Sequence, residues 1–96
     1  MKRQVNLRQI EAFKAVIEQG TVSRAAEILY ISQPAVSKML THLEDDSGLT
    51  LFDRVRGKLA PTRQGMRLYG EIDRIFAGLR QLEQLSTRFA ATSSAI

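Results

Sequence analysis

The stretch Val22–Glu44, VSRAAEILYISQPAVSKMLTHLE, decides the fold. Within it apolar residues recur at Ala26, Leu29, Val36, Leu40 and Leu43, in steps of three, seven, four and three. Steps of three and four keep side chains on one helical face, and the long step spans a turn. Two short helices are expected, about Ser23–Leu29 and Gln33–Asp46, joined at Tyr30 and Ile31. Their inner faces share one small core, which is the pattern of a helix-turn-helix. Ala25 and Ala26 in succession let another helix approach closely. Ser32 is placed to cap the second helix by accepting from the Ala35 amide. Pro34 falls in the first turn, where its missing N–H costs nothing.

Upstream, Asn6 stands three residues before Gln9, an N-cap and capping box for a first helix over Leu7–Gln19. Ile10, Phe13, Val16 and Ile17, with Ala12 and Ala15, form its apolar face, and Lys14 and Glu18 pair at i,i+4 on the other side. Gly20 ends that helix, and Thr21 or Ser23 starts the next. Met1–Val5 is a short basic lead without a period. Downstream, Glu44, Asp45 and Asp46 put negative charge at a helix C-terminus, which opposes the helix dipole. Either the helix frays there or a basic partner compensates. After the Ser47-Gly48 turn, Leu49, Leu51, Phe52 and Leu59 flank a loop carrying Arg54, Arg56, Gly57 and Lys58. This is the composition of a β-hairpin wing.

From Thr62, a capping residue, a helix is expected over Arg63–Phe89, roughly 40 Å at the usual rise. Leu68, Ile72, Ile75, Leu79, Leu82, Ser86 and Phe89 recur in steps of four and three, a coiled-coil seam broken only by Ser86. Met66, Tyr69 and Phe76 widen the apolar face where the helix packs back on the globular part. A seam this long exceeds what so small a body can cover, so a second copy of the same helix is its expected partner. The chain thus divides into a mainly α winged helix-turn-helix unit at residues 1–62, a linker and dimerisation helix at 63–90, and a frayed tail at 91–96.

The chain has 96 residues, no cysteine and one histidine, His42. That length supports one domain with an appendage. No metal-ligand set, nucleophile pair or cofactor motif can be assembled around His42, so an enzyme is not expected. Three consecutive acids point in different directions and do not have the spacing of a calcium loop. The absence of long apolar runs and of a secretory signal suits a cytoplasmic protein with no membrane contact. Charge is more informative. Residues 1–67 hold eleven Lys and Arg against seven acids, whereas residues 68–96 hold three of each. The positive field therefore belongs to the first part, together with the helix-turn-helix.

The start of the Gln33 helix offers Ser32, Gln33, Pro34, Ala35, Ser37 and Lys38. A glutamine can read an adenine edge, small apolar surfaces can meet a thymine methyl, and helix N-terminal amides favour anions. Basic groups on the wing would rest on phosphates or in the adjacent minor groove. Sequence-specific binding of double-stranded DNA is the function this implies. The rival is a dimeric protein-interaction module whose basic face meets an acidic partner and touches DNA only non-specifically.

Phe13-x-x-Val16, Gly20, Ser23-Arg24-Ala25-Ala26-Glu27-x-Leu29, Ser32-Gln33-Pro34-Ala35-Val36-Ser37, Leu43-Glu44, Leu51-Phe52-x-Arg54, and Thr62 with Gly65 occur in that order. Over about residues 7–90 the chain closely resembles the N-terminal winged helix-turn-helix domain and linker helix of LysR-type transcriptional regulators. The resemblance implies a bacterial repressor or activator on a dyad-containing promoter site. Ser32, Gln33, Pro34, Ser37 and Lys38 would face the major groove, and Arg24 would lie near phosphates. Arg54 would anchor the wing region, with Arg56 and Lys58 on the wing itself. Dimerisation would run through Leu68, Ile72, Ile75, Leu79, Leu82 and Phe89, and the full-length protein would be a tetramer built from dimers. A small-molecule effector is expected only for a domain following the linker, and no cofactor for this part. Ser47 and Pro61 depart from the family pattern, which has leucine at both places.

Overall fold

Capping chemistry sets where each helix begins. In the computed structural model, which describes residues 4–94 and side chains as far as 91, three helices form a head: α1 (Leu7–Gln19), α2 (Val22–Leu29) and α3 (Gln33–Ser47). Most of the basic lead, residues 1–3, and the end of the chain at 95 and 96 lie outside the described residues. Asn6 Oδ1 accepts from the Gln9 amide at 2.9 Å, and Gln9 Oε1 accepts from the Asn6 amide at 3.1 Å, completing the capping box. Thr21 Oγ1 accepts from the Arg24 amide at 3.1 Å, so Thr21 is the cap of α2 and the helix starts one residue earlier than Ser23. Ser32 Oγ accepts from the Ala35 amide at 3.2 Å and opens α3.

The turn between α2 and α3 is closed by backbone bonds. The Tyr30 amide donates to the Glu27 carbonyl at 3.3 Å and the Ile31 amide to the Ala26 carbonyl at 3.1 Å. This crossed pair is the Schellman arrangement, and it requires a left-handed residue at Tyr30, whose φ is 58°. Glycine or asparagine adopts that conformation more cheaply, so a tyrosine there stores local strain.

The acidic end of α3 stays helical as far as Ser47, and among the described residues neither Glu44 nor Asp46 forms an ion pair. Both carboxylates act as acceptors that tie the helix to its neighbours. Glu44 Oε2 accepts from the amides of Leu51 at 2.8 Å and Phe52 at 3.2 Å, holding the chain as it enters the wing. Asp46 Oδ2 accepts from Nε2 of the buried Gln9 at 2.9 Å, joining α3 to α1. The Ser47 hydroxyl donates to the Glu44 carbonyl and accepts from the Leu49 amide, completing the turn with polar bonds.

The wing is an antiparallel pair, β1 (Phe52–Val55) and β2 (Lys58–Pro61), with Arg54 opposite Leu59 and Val55 opposite Lys58. Only Arg56 and Gly57 join the strands, both with positive φ (53° and 76°), which defines a type I′ turn whose twist matches the strands. Pro61 pairs with Phe52 at the last rung, where a proline is tolerated on an edge strand. Phe52 and Leu59 turn inward, and the Phe52 ring meets Phe13 edge to face at 5.5 Å.

The core joins all three head helices to the first part of α4 (Arg63–Ser94). Phe13, Val16, Ala25, Ala26, Val36, Leu40, Leu43 and Leu51 are buried together with Ile72. Thr62 seats α4: its amide donates to the Leu51 carbonyl, its hydroxyl donates to the Thr50 carbonyl, and its Oγ1 accepts from the Gly65 amide. Gly65 passes so close to the Leu51 carbonyl that any Cβ would collide with it. Leu68 and Ile72, the first residues of the expected seam between copies, pack on the head of their own chain. The uncovered part of the seam starts at Ile75. The helix also continues through residues 91–94, expected to fray, because Ala90 and Ala91 favour helix and no glycine or proline intervenes. No helix among the described residues is long and apolar enough to cross a membrane.

Candidate nucleic-acid interface

The first turns of α3 leave the head at its surface. Ser32, Gln33, Pro34, Ser37 and Lys38 are exposed, while Ala35 is half-buried and turned partly into the body. Their direction is fixed from behind by Val36, Leu40 and Leu43, which bury the opposite face of the helix. The Ser37 carbonyl accepts from Thr41 Oγ1 at 3.1 Å, which leaves the Ser37 hydroxyl outside that bond.

The wing folds back beside this helix. A shallow cleft is lined by Gln33 and Ser37 from α3, by Arg54, Gly57, Lys58 and Leu59 from the hairpin, and by Gly20, Thr21 and Val22 from the start of α2. Residues more than twenty positions apart in sequence are thereby brought to one concave surface, amides and hydroxyls on one wall and cations on the other. Arg24, Lys38 and Arg56 do not line the cleft. They stand exposed on α2, further along α3, and at the tip of the hairpin. None of these five cations is paired with a carboxylate among the described residues. The ion pairs Lys14–Glu18 and Arg74–Glu71 lie instead on α1 and α4. Cations left unpaired around a polar cleft suit a polyanion.

Two features of the cleft escape motif reading. Thr21 and Val22 reach it from the turn before α2, and Gln33 Nε2 donates to Ser23 Oγ at 3.3 Å across ten residues of sequence. The sequence hints at the second only in that Thr21 and Ser23 both offer a cap for α2, and the hydroxyl not used there is available to another partner.

On the far side of the head, Glu18 joins α1 to α4. Its Oε2 accepts from Tyr69 Oη at 2.8 Å and its Oε1 from Lys14 Nζ at 3.0 Å, and Lys14 Nζ lies 5.1 Å from the Phe76 ring centre. Partial burial alone would raise the Glu18 pKa, but the hydrogen bonds from Tyr69 and Lys14 and the charges of Lys14 and Arg80 outweigh it and hold it below 4.5. The hydrogen bond to Glu18, with some burial, raises the Tyr69 phenol above 10.0. Among the described residues no group of three His, Cys, Asp or Glu converges as a metal set.

A three-helix head with a tight turn before an exposed helix, and a two-stranded hairpin beside it, defines a winged helix-turn-helix protein. The chain belongs to the lysR family of bacterial regulatory helix-turn-helix proteins, whose model matches residues 7–66. It is 50% identical over 78 residues to the transcriptional activator protein LysR of Escherichia coli (strain K12), covering 81% of this chain and 25% of that protein. It is 39% identical over 82 residues to the octopine catabolism/uptake operon regulatory protein OccR of Rhizobium meliloti, covering 85% of this chain and 28% of that one. Among solved structures, the crystal structure of the BenM DBD/catB site 1 DNA complex superposes with a TM-score of 0.79 at 28% identity, covering 88% of this chain and 96% of that chain. The chain spans about a quarter of the length of these curated relatives.

Proposed function

We propose that this chain is the DNA-binding part of a bacterial transcriptional regulator and reads double-stranded DNA sequence-specifically as a dimer. In this reading α3 enters the major groove, with Gln33 and Ser37 at base edges and Ser32, Pro34, Ala35 and Lys38 around them. Arg24 lies near phosphates. Arg54, Arg56 and Lys58 hold the wing to the backbone or the adjacent minor groove. Two heads are joined through α4, and half-sites about one helical turn or a multiple apart follow from the two-fold symmetry. The observation that carries this is the cleft in which Gln33 and Ser37 face Arg54 and Lys58, in a chain alike in fold to a family member solved on DNA. Assembly of dimers into a tetramer and the sensing of a small-molecule effector belong, in the same proposal, to the full-length protein.

The test is selection from randomised duplexes at about 150 mM salt, a physiological ionic strength. An interrupted palindrome is the expected product. Retention of duplex only at low salt, with no sequence enriched, would reject base reading and leave phosphate contact alone.

A further inference from the structure

We propose that Ser23 is a positioning residue for sequence reading, holding the Gln33 side-chain amide so that its free edge faces the base. The proposal rests on the DNA-binding reading above and adds a determinant that lies off the recognition helix. Three observations lead to it. Thr21 supplies the cap of α2, so the Ser23 hydroxyl is not engaged in starting that helix. That hydroxyl accepts from Gln33 Nε2 at 3.3 Å, joining the first turn of α2 to the first residue of α3. Gln33 itself lines the cleft shared with the wing, as does Val22, the neighbour of Ser23.

The chemistry follows from what an amide offers. Glutamine carries two N–H donors and a carbonyl acceptor. One donor directed at Ser23 leaves one donor and the carbonyl, and these are the two groups that adenine N7 and N6–H require for a bidentate pair. A long exposed glutamine otherwise samples many rotamers and both amide orientations, and it must surrender that freedom when it meets a base. The Ser23 bond holds the amide against α2 before DNA arrives. It therefore reduces the rotamer freedom that Gln33 must give up on meeting a base.

The experiment uses the whole chain, the duplex enriched by selection, and the three other base pairs at the position where Gln33→Ala loses discrimination. Ser23→Ala is expected to lower discrimination at that one position by roughly two- to tenfold, the range of one net hydrogen bond, with little change at other positions. Ser23→Thr, which keeps the hydroxyl, is expected to preserve it. In the Gln33→Ala background Ser23→Ala is expected to change discrimination no further, because its effect passes through Gln33. Thermal melts of each variant accompany the binding data.

Equal loss on every duplex from Ser23→Ala would make the hydroxyl a phosphate contact or a tie between helices, and would overturn the proposal. Unchanged discrimination, or additive losses in the double variant, would overturn it too. A wild-type chain that prefers no duplex, or a Gln33→Ala variant that loses equally on all, would instead sink base reading itself and this proposal with it.

Discussion

One apolar repeat runs the length of α4, yet its two ends do different things. Leu68 and Ile72 pack on the head, Ile72 with only 3% of its surface exposed. Ile75, Leu79 and Leu82 continue the same alternation of three and four and Phe89 follows one heptad after Leu82, with exposures of 62%, 47%, 59% and 67%. The reach of the head accounts for the change. Leu68 and Ile72 lie along the part of α4 that packs on the head, as do Tyr69 and Phe76, and Phe76 is the last residue of α4 to do so. At 1.5 Å per residue Leu79 stands about 10 Å and Phe89 about 25 Å beyond Ile72 along the axis, past the end of the head. Periodicity identifies an apolar stripe; it does not say whether the same chain or a second copy covers it.

The sharpest way to break this comparison is to truncate one residue on each side of the divide. Ile72→Ala is expected to destabilise the head by about 2–5 kcal/mol, the usual loss for a buried isoleucine. The melting midpoint of the diluted protein should then fall by roughly 10 °C or more. Dilution matters because association would itself raise the midpoint. A variant that melts like the parent and only associates more weakly would place Ile72 in the seam between copies, against its burial here.

Gly65→Ala attacks the same seat through the backbone. Its Cβ would meet the Leu51 carbonyl oxygen, which is fixed by its bond from the Thr62 amide and cannot easily retreat. Overpacking of this kind costs about 1–3 kcal/mol. Hydrogen exchange should show the loss concentrated at Leu51, Thr62 and the first turns of α4. A uniform loss across the head, or none, would show that α4 is not seated through this contact.

Leu82→Ala tests the other end. It removes little that the single chain buries, so the midpoint of the dilute chain should stay within about 0.5 kcal/mol of the parent, as for surface substitutions. Sedimentation should show weaker self-association. An unchanged mass distribution from Leu82→Ala and Leu79→Ala together would deny the exposed stripe its role as the contact between copies.

How much of this was legible depended on whether a signal was local. The capping residues Asn6 and Ser32, the left-handed Gly20 and the two-stranded wing follow from residues a few positions apart, and each is present as expected. The acidic end of α3 left two alternatives open in the sequence, because Glu44 and Asp46 find their partners at Leu51, Phe52 and Gln9, the last of them 37 residues away. A helix-dipole argument weighs those charges against their own helix alone and does not contain the amides that another segment delivers. For the candidate site, the residue types on α3 and on the wing were readable. The cleft that joins them, and the bond between Ser23 and Gln33, depend on the angle between helices and have no local period.

The smallest effect concerns the hold of α1 on α4 just where the stripe leaves the head. Tyr69→Phe deletes the hydrogen bond to Glu18 and keeps the ring, so a loss of a few tenths of a kcal/mol is expected at neutral pH for so exposed a pair. The Glu18 pKa is lowered in the folded chain, so its contribution is present above the unfolded value near 4.5 and disappears as pH falls through the lowered folded value. The raised Tyr69 pKa acts in the opposite sense, giving a contribution present below about 10.0 and lost as pH rises through the folded value. Melting midpoints of parent and Tyr69→Phe should therefore differ between about pH 5 and pH 9 and converge at both extremes. A difference that persists unchanged to strongly acidic pH would mean that the Tyr69 hydroxyl acts without the Glu18 carboxylate, and the boundary between the two ends of α4 would then rest on ring packing alone.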